Sequence, residues 1–200
     1  MRTMTNQETS PATKPVGSTR MPRAERRAQL IEAAASAFLE RGYDGTSVES
    51  VAAQAGVTRL IVYRIFDGKE ALYRAVLHSV TERLREEFDR DRITEIAATL
   101  LRVAREHPDA FRLLWRHARH EPAFEAEAEM FRLVAAEYAD GIIGRYIADA
   151  RYRRWSAAAV VDHLHEGICT WLDIGEAALD DEFAERLRDG VRALVTAWSD

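Results

Sequence analysis

The sequence predicts an all-α protein of about nine helices, divided into a small N-terminal unit and a larger helical bundle. Apolar residues recur at spacings of three and four along most of the chain, and no stretch alternates apolar and polar residues as a half-buried strand would. Prolines and glycines divide this pattern into segments of helical length. We expect a disordered leader over residues 1–21, a three-helix domain over residues 22–68 and a helical bundle over residues 69–200.

The composition is that of an ordinary globular chain, with 47% hydrophobic and 30% charged residues. No apolar run approaches the roughly 18–20 residues that a membrane span requires, so we expect no membrane contact. Residues 1–21 lack the apolar core of a secretory signal and are rich in Pro, Thr, Ser and Gly, which favours disorder. The single cysteine, Cys169, cannot form an internal disulfide, which indicates a reducing, cytoplasmic location.

Charge is distributed unevenly along the chain, whose formal net charge is −5. Residues 20–75 carry nine Arg or Lys and seven Asp or Glu, whereas residues 76–200 carry 17 and 25. The basic balance therefore lies at the N-terminal end, where it is compatible with a nucleic-acid partner. An excess of this size is also typical of an ordinary solvated face.

The first helix is expected to begin near Pro22 and to end at Gly42, since glycine can adopt the left-handed conformation of a helix terminus. Thr46 and Glu49 are spaced as a capping box for a second helix over residues 48–55. A third short helix is expected over residues 58–65.

Residues 48–65 fit a helix-turn-helix, in which two short helices cross steeply and are joined by a tight turn. Ala52 is small enough for the crossing, Gly56 can supply a positive φ for the turn, and Thr58 can cap the second helix. Apolar residues that would fill the junction occur at suitable positions: Val51, Ala55, Val57, Val62 and Ile65. An ordinary helical hairpin is the alternative, and the joint pattern favours the helix-turn-helix.

The helices of the bundle are expected over residues 69–90, 93–105, 108–120, 122–150, 157–178 and 180–198. Pro108 and Pro122 suit first helical turns. Ser156, and either Asp180 or Asp181, are expected as N-caps of the last two helices.

Several separated motifs lie between residues 26 and 77. They are Phe38, Arg41-Gly42-Tyr43, Thr46-Ser47-Val48, Val51-Ala52-Ala53, Ala55-Gly56-Val57-Thr58, Val62-Tyr63 with Phe66, and Lys69-Glu70-Ala71-Leu72. Together they resemble the N-terminal domain of the tetracycline-repressor (TetR) family of bacterial regulators, and they are more specific than a generic helix-turn-helix. Beyond about residue 80 the chain resembles the family only in the number and length of its helices.

The resemblance implies that the following residues bind DNA: Thr46, Thr58, Arg59, Leu60, Tyr63, Arg64 and Lys69. Thr46, Tyr63 and Lys69 match positions that contact phosphate, although core packing remains the alternative for Tyr63. Thr58, Arg59 and Leu60 open the recognition helix, which enters the major groove. Arg59 is the candidate for bidentate contact with guanine, and Arg64 could reach backbone or base. Leu60 stands where the family usually has a small residue, so it either reads a thymine methyl or reduces polar readout.

Aromatic residues of the bundle are candidates for a ligand pocket between helices. They are Phe88, Phe111, Trp115, Phe131, Tyr138 and Trp171. Core packing is the alternative for each, and the resemblance, which implies an effector site among the middle helices, makes the two interpretations about equal. The expected effector is an apolar or aromatic small molecule, and the acidic bundle leaves a cationic one open.

The last two predicted helices carry a long apolar surface that needs a partner. Its residues are Val160, Val161, Leu164, Ile168, Trp171 and Leu172 on one helix, and Phe183, Leu187, Val191, Leu194 and Trp198 on the other. The resemblance implies that the partner is the same helix pair of a second subunit, which would make a homodimer.

Two groups of side chains have spacings compatible with metal ligation, and a metal site is the less favoured interpretation of both. The first is His117, His120 and Glu121, and the second is Asp162, His165, Glu166 and Cys169. No catalytic motif stands out, so we expect neither enzymatic activity nor a cofactor.

The leading hypothesis is a sequence-specific transcriptional regulator, a repressor that a small-molecule effector releases from a near-palindromic operator. One alternative is a DNA-binding regulator without an effector, and a less favoured one is a helical-bundle metal-binding protein or enzyme. The helix over residues 69–90 is expected to be the only element that couples the two sites directly, because it begins at Lys69 and ends in the bundle.

Overall fold

The computed structural model describes residues 21–88 and 96–199, and within them all regular secondary structure is helical, as predicted. The α-helices are α1 Arg23–Gly45, α2 Val48–Gln54, α3 Arg59–Tyr63, α4 Lys69–Phe88, α5 Ile96–Glu106, α6 Pro108–Arg112, α7 Glu125–Ile143, α8 Ala150–Ile174 and α9 Asp180–Trp198. A π-helical turn, Leu113–His117, and a 3₁₀ turn, Ala118–His120, extend α6, and a 3₁₀ turn, Ala177–Leu179, precedes α9. The predicted leader, the end of the fourth helix and the start of the fifth lie largely outside the described residues.

The helix-turn-helix forms as the sequence predicts. Gly42 has a φ of 71° and kinks the end of α1, and Gly56 has a φ of 64° in the turn between α2 and α3. Both angles lie in the left-handed region that favours glycine. Ala52 is buried where α2 and α3 pack, and Val51 and Val62 are fully buried beside it. Small and branched apolar residues thus fix the angle at which α3 leaves the body of the protein.

The cap of α2 differs from the prediction by one residue. Ser47, not Thr46, is the N-cap, and its hydroxyl accepts a hydrogen bond from the Ser50 backbone N–H at 3.1 Å. The Ser50 hydroxyl accepts one in return from the Ser47 backbone N–H, also at 3.1 Å. The capping box therefore uses Ser50 in place of Glu49, whose carboxylate is left available for another contact.

Two predicted helix boundaries in the bundle are wrong, as are the N-caps predicted for the last two helices, whereas the predicted bounds of α9 are confirmed. The long helix does not run to residue 150, since α7 ends at Ile143 and turns follow it. Helix α8 begins at Ala150, where Asp149 caps it by accepting a hydrogen bond from the Arg151 backbone N–H at 2.8 Å. Ser156 is therefore an interior residue of α8 rather than its cap. Asp180 is the first residue of α9 and forms no N-cap bond, because its carboxylate accepts bonds from other side chains.

The N-terminal helices and the bundle share a continuous core. Tyr73 of α4 packs edge-on against Phe38 of α1, with ring centroids 4.8 Å apart, and stacks on Phe124 at 4.2 Å. Tyr43 closes the group, with its ring centroid 5.0 Å from that of Phe124. The limits of residues 22–68 and 69–200 as separate domains stay a prediction, since this cluster crosses them.

None of the helices in residues 21–88 and 96–199 combines the length and apolarity that a membrane span needs.

Candidate nucleic-acid interface and ligand cavity

Helix α3 presents one exposed face and one buried face. Its exposed face carries five of the predicted contact residues: Thr58, Arg59, Leu60, Tyr63 and Arg64. Leu60 is 69% exposed, whereas Val62 on the opposite face is fully buried. Burial of the inner face holds the helix in place, and the outer face offers apolar, aromatic and cationic groups together. Tyr63 is 43% exposed, which argues against core packing as its main role.

Arg59 is held in an extended position by two weak contacts. Its guanidinium lies 2.7 Å from the carboxylate of Glu49 on α2 and 5.1 Å from the centre of the Tyr63 ring. Both partners of the ion pair are more than half exposed, and a pair of this kind contributes roughly 0–1 kcal/mol. The guanidinium can therefore exchange Glu49 for a base edge or a phosphate at little cost.

Lys69 makes a stabilising contact within the N-terminal unit as well as carrying a positive charge. Its ammonium donates a hydrogen bond to the Tyr43 carbonyl oxygen at 2.9 Å and lies 4.1 Å from the centre of the Tyr43 ring. An ammonium group has three N–H donors, and this contact uses one of them. The other two N–H groups can reach a phosphate while the hydrogen bond to Tyr43 is kept. The predicted phosphate contact and the observed structural contact are therefore compatible.

Thr46 does not occupy the place that its predicted phosphate contact requires. Its side chain is 2% exposed, and its hydroxyl lies 3.0 Å from the carbonyl oxygen of Ala37 and 2.8 Å from that of Gly42. The hydroxyl is thus directed inward, onto the end of α1. Ser47, one residue further on, is the exposed hydroxyl at the start of α2, and we assign the surface position to it. Thr58 stands at the N-cap of α3, as predicted, but its side chain makes no capping bond.

A large cavity of about 1240 Å³ lies within the bundle. Helices α4, α5, α7, α8 and α9 contribute to its wall, which is mostly apolar. Three of the six predicted aromatic residues line it, namely Phe88, Phe131 and Tyr138. The rings of Phe88 on α4 and Tyr138 on α7 are 5.5 Å apart, so they join two sides of the wall. A cavity of this size exceeds the typical range of ligand pockets, about 300–1,000 Å³, and can hold a drug-sized molecule.

The other three predicted aromatic residues do not line the cavity. Phe111 and Trp115 are buried, and both stack on the ring of His165, at centroid distances of 5.8 and 4.3 Å. Trp171 stacks on Phe183 at 4.4 Å and donates its indole N–H to the Asp180 carboxylate at 2.7 Å. These three residues therefore belong to the packing around the cavity or to the contact between α8 and α9.

Sequence reasoning missed cavity residues of two kinds. Met130, Val134 and Tyr146 expose apolar surface at the open side of the cavity. Their sequence pattern resembles that of an ordinary amphipathic helix, so it carried no signal of a pocket. His165 lines the buried part, and sequence reasoning considered it only as a metal ligand.

About half of the predicted dimer residues are buried within one subunit. Val160, Leu164, Ile168 and Leu187 are buried, and Val160 and Leu164 line the cavity together with Val191. Phe183, Val191 and Leu194 are half-buried, as is Trp171. The buried part of the apolar stripe on α8 and α9 thus packs within the chain, in the bundle core and the cavity wall, whereas the half-buried part keeps surface that a second subunit can cover.

A second apolar surface on α8 and α9 faces outward. Trp155 is 55% exposed and packs edge-on against Trp198, with ring centroids 4.7 Å apart. Tyr152 and Ile174 on the same helix are also exposed. These residues, and not the buried stripe, are available to a second subunit.

The groups spaced as metal ligands do not converge. On α8, Asp162 pairs with Arg132 at 2.7 Å and Glu166 pairs with Arg116, whereas His165 and Cys169 are buried. Burial raises the pKa of the Cys169 thiol to about 12, so it is not poised to ligate as a thiolate. Among the residues that the structure describes, no three His, Cys, Asp or Glu side chains form a possible metal site, including those near His117.

An exposed short helix set by a tight glycine turn, on a bundle that encloses a cavity, defines a helix-turn-helix protein of the regulator type. Residues 30–76 match the family model described as bacterial regulatory proteins of the tetR family. This match assigns residues 30–76, which contain the helix-turn-helix, to the N-terminal domain of that family.

Similar proteins agree with this assignment. The HTH-type transcriptional activator FasR of Mycolicibacterium smegmatis is 42% identical over 65 residues, which are 32% of this chain and 30% of that protein. The HTH-type transcriptional regulator RutR of Escherichia coli K12 is 32% identical over 113 residues, 52% of this chain and 53% of that protein. The chain thus matches less than two thirds of the length of these relatives.

Similarity of fold extends further than similarity of sequence. The crystal structure of a TetR-like transcriptional regulator from Rhodococcus sp. RHA1 superposes with a TM-score of 0.70 and covers 86% of this chain and 97% of that one. The two sequences are 21% identical, so this comparison establishes the shared fold alone.

Proposed function

We propose that this protein is a sequence-specific DNA-binding transcriptional regulator, a repressor that a small-molecule effector releases from its operator. The observation that carries the proposal is the exposed face of α3, where Arg59, Leu60 and Tyr63 project from a rigidly packed helix. Such a helix fits the major groove, and its first residues reach base edges. The basic balance of residues 20–75, with nine Arg or Lys against seven Asp or Glu, supports the same assignment.

In this proposal, different residues position the protein and read the sequence. Arg59 donates two hydrogen bonds to a guanine, and Leu60 contacts a thymine methyl group. Ser47, Tyr63 and Lys69 bind phosphates, and Arg64 contacts phosphate or base from the end of α3. Glu49 holds the Arg59 guanidinium until DNA replaces it.

The DNA-binding form is proposed to be a homodimer. The outward surface of α8 and α9, around Trp155 and Trp198, pairs with its own copy about a two-fold axis. The two α3 helices then meet successive major grooves of a near-palindromic site, about 34–36 Å apart. The complex acts in the cytoplasm, where the DNA of a bacterium lies.

The effector is proposed to bind the cavity in the bundle. Leu77 and Leu84 of α4 line that cavity, and α4 begins at Lys69 in the N-terminal unit. A ligand that favours one position of α4 changes the spacing of the two α3 helices, and this weakens DNA binding. The apolar wall favours an apolar or aromatic ligand.

Selection of binding sites from random duplex DNA tests the proposal. We expect one near-palindromic sequence to be enriched and to repress a promoter in which it is placed. No enrichment of any sequence would contradict the proposal. Activation of that promoter would mean that the protein is an activator and not a repressor. This outcome is included because the relative FasR is named an activator.

Release from the selected site separates the leading proposal from a regulator without an effector. A library of apolar and aromatic compounds is first screened for thermal stabilisation of the protein and then for loss of DNA binding. Compounds that stabilise the protein and release it from DNA support the effector proposal. Failure of every stabilising compound to release it favours regulation without an effector.

A further inference from the structure

The buried part of the cavity wall contains one polar group in an otherwise apolar setting. Among the cavity residues that the structure describes, Leu77, Leu100, Leu114 and Leu164 are buried and apolar, whereas His165 is buried and polar. The other polar residues of the wall are exposed or half-buried: His78, Thr81, Glu82, Arg85, Glu127, Tyr138, Tyr146, Arg188, Arg192 and Thr196. His165 therefore differs from them in being shielded from bulk water.

The hydrogen bonding of His165 determines which of its ring nitrogens is an acceptor. Its Nδ1 lies 2.8 Å from the carbonyl oxygen of Val161, one helical turn earlier. A carbonyl oxygen can only accept, so Nδ1 carries the proton and the neutral ring leaves Nε2 as an acceptor. Nε2 has no hydrogen-bond partner among the described residues, and the side chains packed around it close it off from the cavity. A donor in the cavity reaches Nε2 only when one of these rings, such as that of Phe131 in the cavity wall, shifts.

The surroundings of His165 keep its ring in place and uncharged. Trp115 stacks on it at a centroid distance of 4.3 Å, and Phe131 meets it edge-on at 5.6 Å. Burial, helped by the nearby Arg132 guanidinium and opposed by the hydrogen bond to the Val161 carbonyl, lowers the pKa of His165 to about 4. Asp162, which pairs with Arg132, acts in the opposite direction and does not offset burial.

A buried polar group without a partner is costly, so each one in a native protein calls for a physical explanation. We infer that the effector carries an uncharged hydrogen-bond donor, a hydroxyl or an N–H group, which it gives to Nε2 of His165 while its apolar body fills the cavity. This inference rests on the proposed effector function and adds the chemical class of the ligand. A carboxylate offers no proton, and the nearby Arg132 guanidinium is already paired with Asp162.

Matched probes separate the donor from the apolar body. The dissociation constants of 4-phenylphenol, 4-methoxybiphenyl and biphenyl-4-carboxylate are measured by calorimetry on the full chain at neutral pH. The phenol and the ether share a biphenyl body, but only the phenol donates a hydrogen bond. We expect the phenol to bind about 3- to 10-fold more tightly than the ether, the range of one neutral hydrogen bond. The carboxylate is expected to bind less tightly than the phenol.

The variant His165→Phe keeps an aromatic ring between the same neighbours and removes the acceptor. In it the preference for the phenol over the ether is expected to disappear, while His163→Phe, which changes an exposed histidine of the same helix, retains it. Equal affinities for phenol and ether in the unmodified protein would overturn the inference. So would a preference that survives in His165→Phe, tighter binding of the carboxylate, or no binding of any probe at its solubility limit.

The results that would contradict the proposed effector function differ from those that would contradict the inference about His165. If the phenol shows the expected preference, and neither it nor any donor-bearing analogue with a larger apolar body releases the protein from DNA, then the ligand site stands and the regulatory role does not. If compounds without a donor release the protein as effectively as their donor-bearing analogues, the regulatory role stands and the inference about His165 does not.

Discussion

Tyr73 of α4 stacks on Phe124, in the turn before α7, with ring centroids 4.2 Å apart and planes inclined by 29°. Tyr43 of the N-terminal unit contacts the same Phe124 ring, and its backbone N–H donates to the Glu121 carboxylate at 3.4 Å. The expectation that α4 alone couples the N-terminal unit to the bundle is therefore wrong. A second route passes through the turn at residues 121–124, which precedes a cavity-lining helix.

Phe124→Leu tests this second route. The substitution removes the ring stack, and we expect the ratio of DNA affinities without and with a releasing ligand to fall toward one. Ligand affinity in the absence of DNA should change little, because Phe124 does not line the cavity. Phe183→Leu, which removes another stacked ring on α9, is the control and should leave the ratio unchanged. A ratio that Phe124→Leu also leaves unchanged would restrict coupling to α4.

Thr46 and Ser47 are expected to act in different ways. Thr46→Val removes the buried hydroxyl bonds to α1 and should cost about 1–3 kcal/mol in free energy of unfolding. The salt dependence of its DNA binding should stay that of the unmodified protein. Ser47→Ala should cost about 1 kcal/mol in stability through loss of the cap and should also weaken binding to every DNA sequence. A reduced salt slope in Thr46→Val would return the phosphate contact to Thr46.

The position of an introduced charge determines whether a variant loses its dimer contact or fails to fold. Trp155→Glu is expected to yield folded monomers, because Trp155 lies on the outward surface of α8. Leu133→Glu, at an exposed apolar residue of α7, is the matched control and should leave the dimer intact. Leu164→Glu should instead unfold the subunit, since Leu164 is buried. Sedimentation velocity at micromolar concentration reports the mass, and a monomeric unmodified protein would contradict the dimer.

The lowered pKa of His165 predicts how stability depends on pH. The unfolded chain takes up the proton near pH 6.5, whereas the folded chain resists protonation until about pH 4. Stability contributed by the neutral ring is therefore complete above pH 6.5 and is lost as the pH falls toward 4. Between pH 7.5 and 5 the loss is about 2 kcal/mol.

Chemical denaturation of the unmodified protein and His165→Phe at both pH values measures this contribution. The variant should lose less stability on acidification, and His163→Phe should behave as the unmodified protein does. Burial also lowers the pKa of His117, and its contribution is common to all three proteins. Identical pH dependence in His165→Phe and the unmodified protein would mean that His165 titrates normally in the folded state.

Local patterns predicted most of the fold, because the features concerned act within a few residues. Gly42 and Gly56 adopt positive φ where the helical pattern breaks, and Pro108 begins α6. The wrongly predicted cap of α2 is displaced by a single residue, so this error is also local. Thr46 and Ser47 can both cap a helix, and the choice depends on the carbonyls of Ala37 and Gly42, which a linear pattern does not display.

The cavity and the outward surface could not be predicted in the same way. Whether an apolar residue of α8 faces the core, the cavity or another subunit depends on how that helix is rotated against four others. Val160 and Leu164 face inward, whereas Trp155 faces outward, and all three lie on one amphipathic helix. The sequence presents His165 only as a possible metal ligand, because its burial and its unpaired nitrogen depend on the fold.

Whether α3 reads a DNA sequence can be measured by fluorescence anisotropy. The affinity of the protein for a selected duplex is compared with its affinities for single-base variants of that duplex and for a scrambled duplex. The unmodified protein should bind the selected duplex at least about 10³-fold more tightly than the scrambled one. Arg59→Ala should lose about 1–3 kcal/mol and all preference at one G·C pair. Arg151→Ala, which removes an arginine that is even more exposed and also forms a single ion pair, should lose neither. Equal affinity of the unmodified protein for the selected and scrambled duplexes would contradict the account.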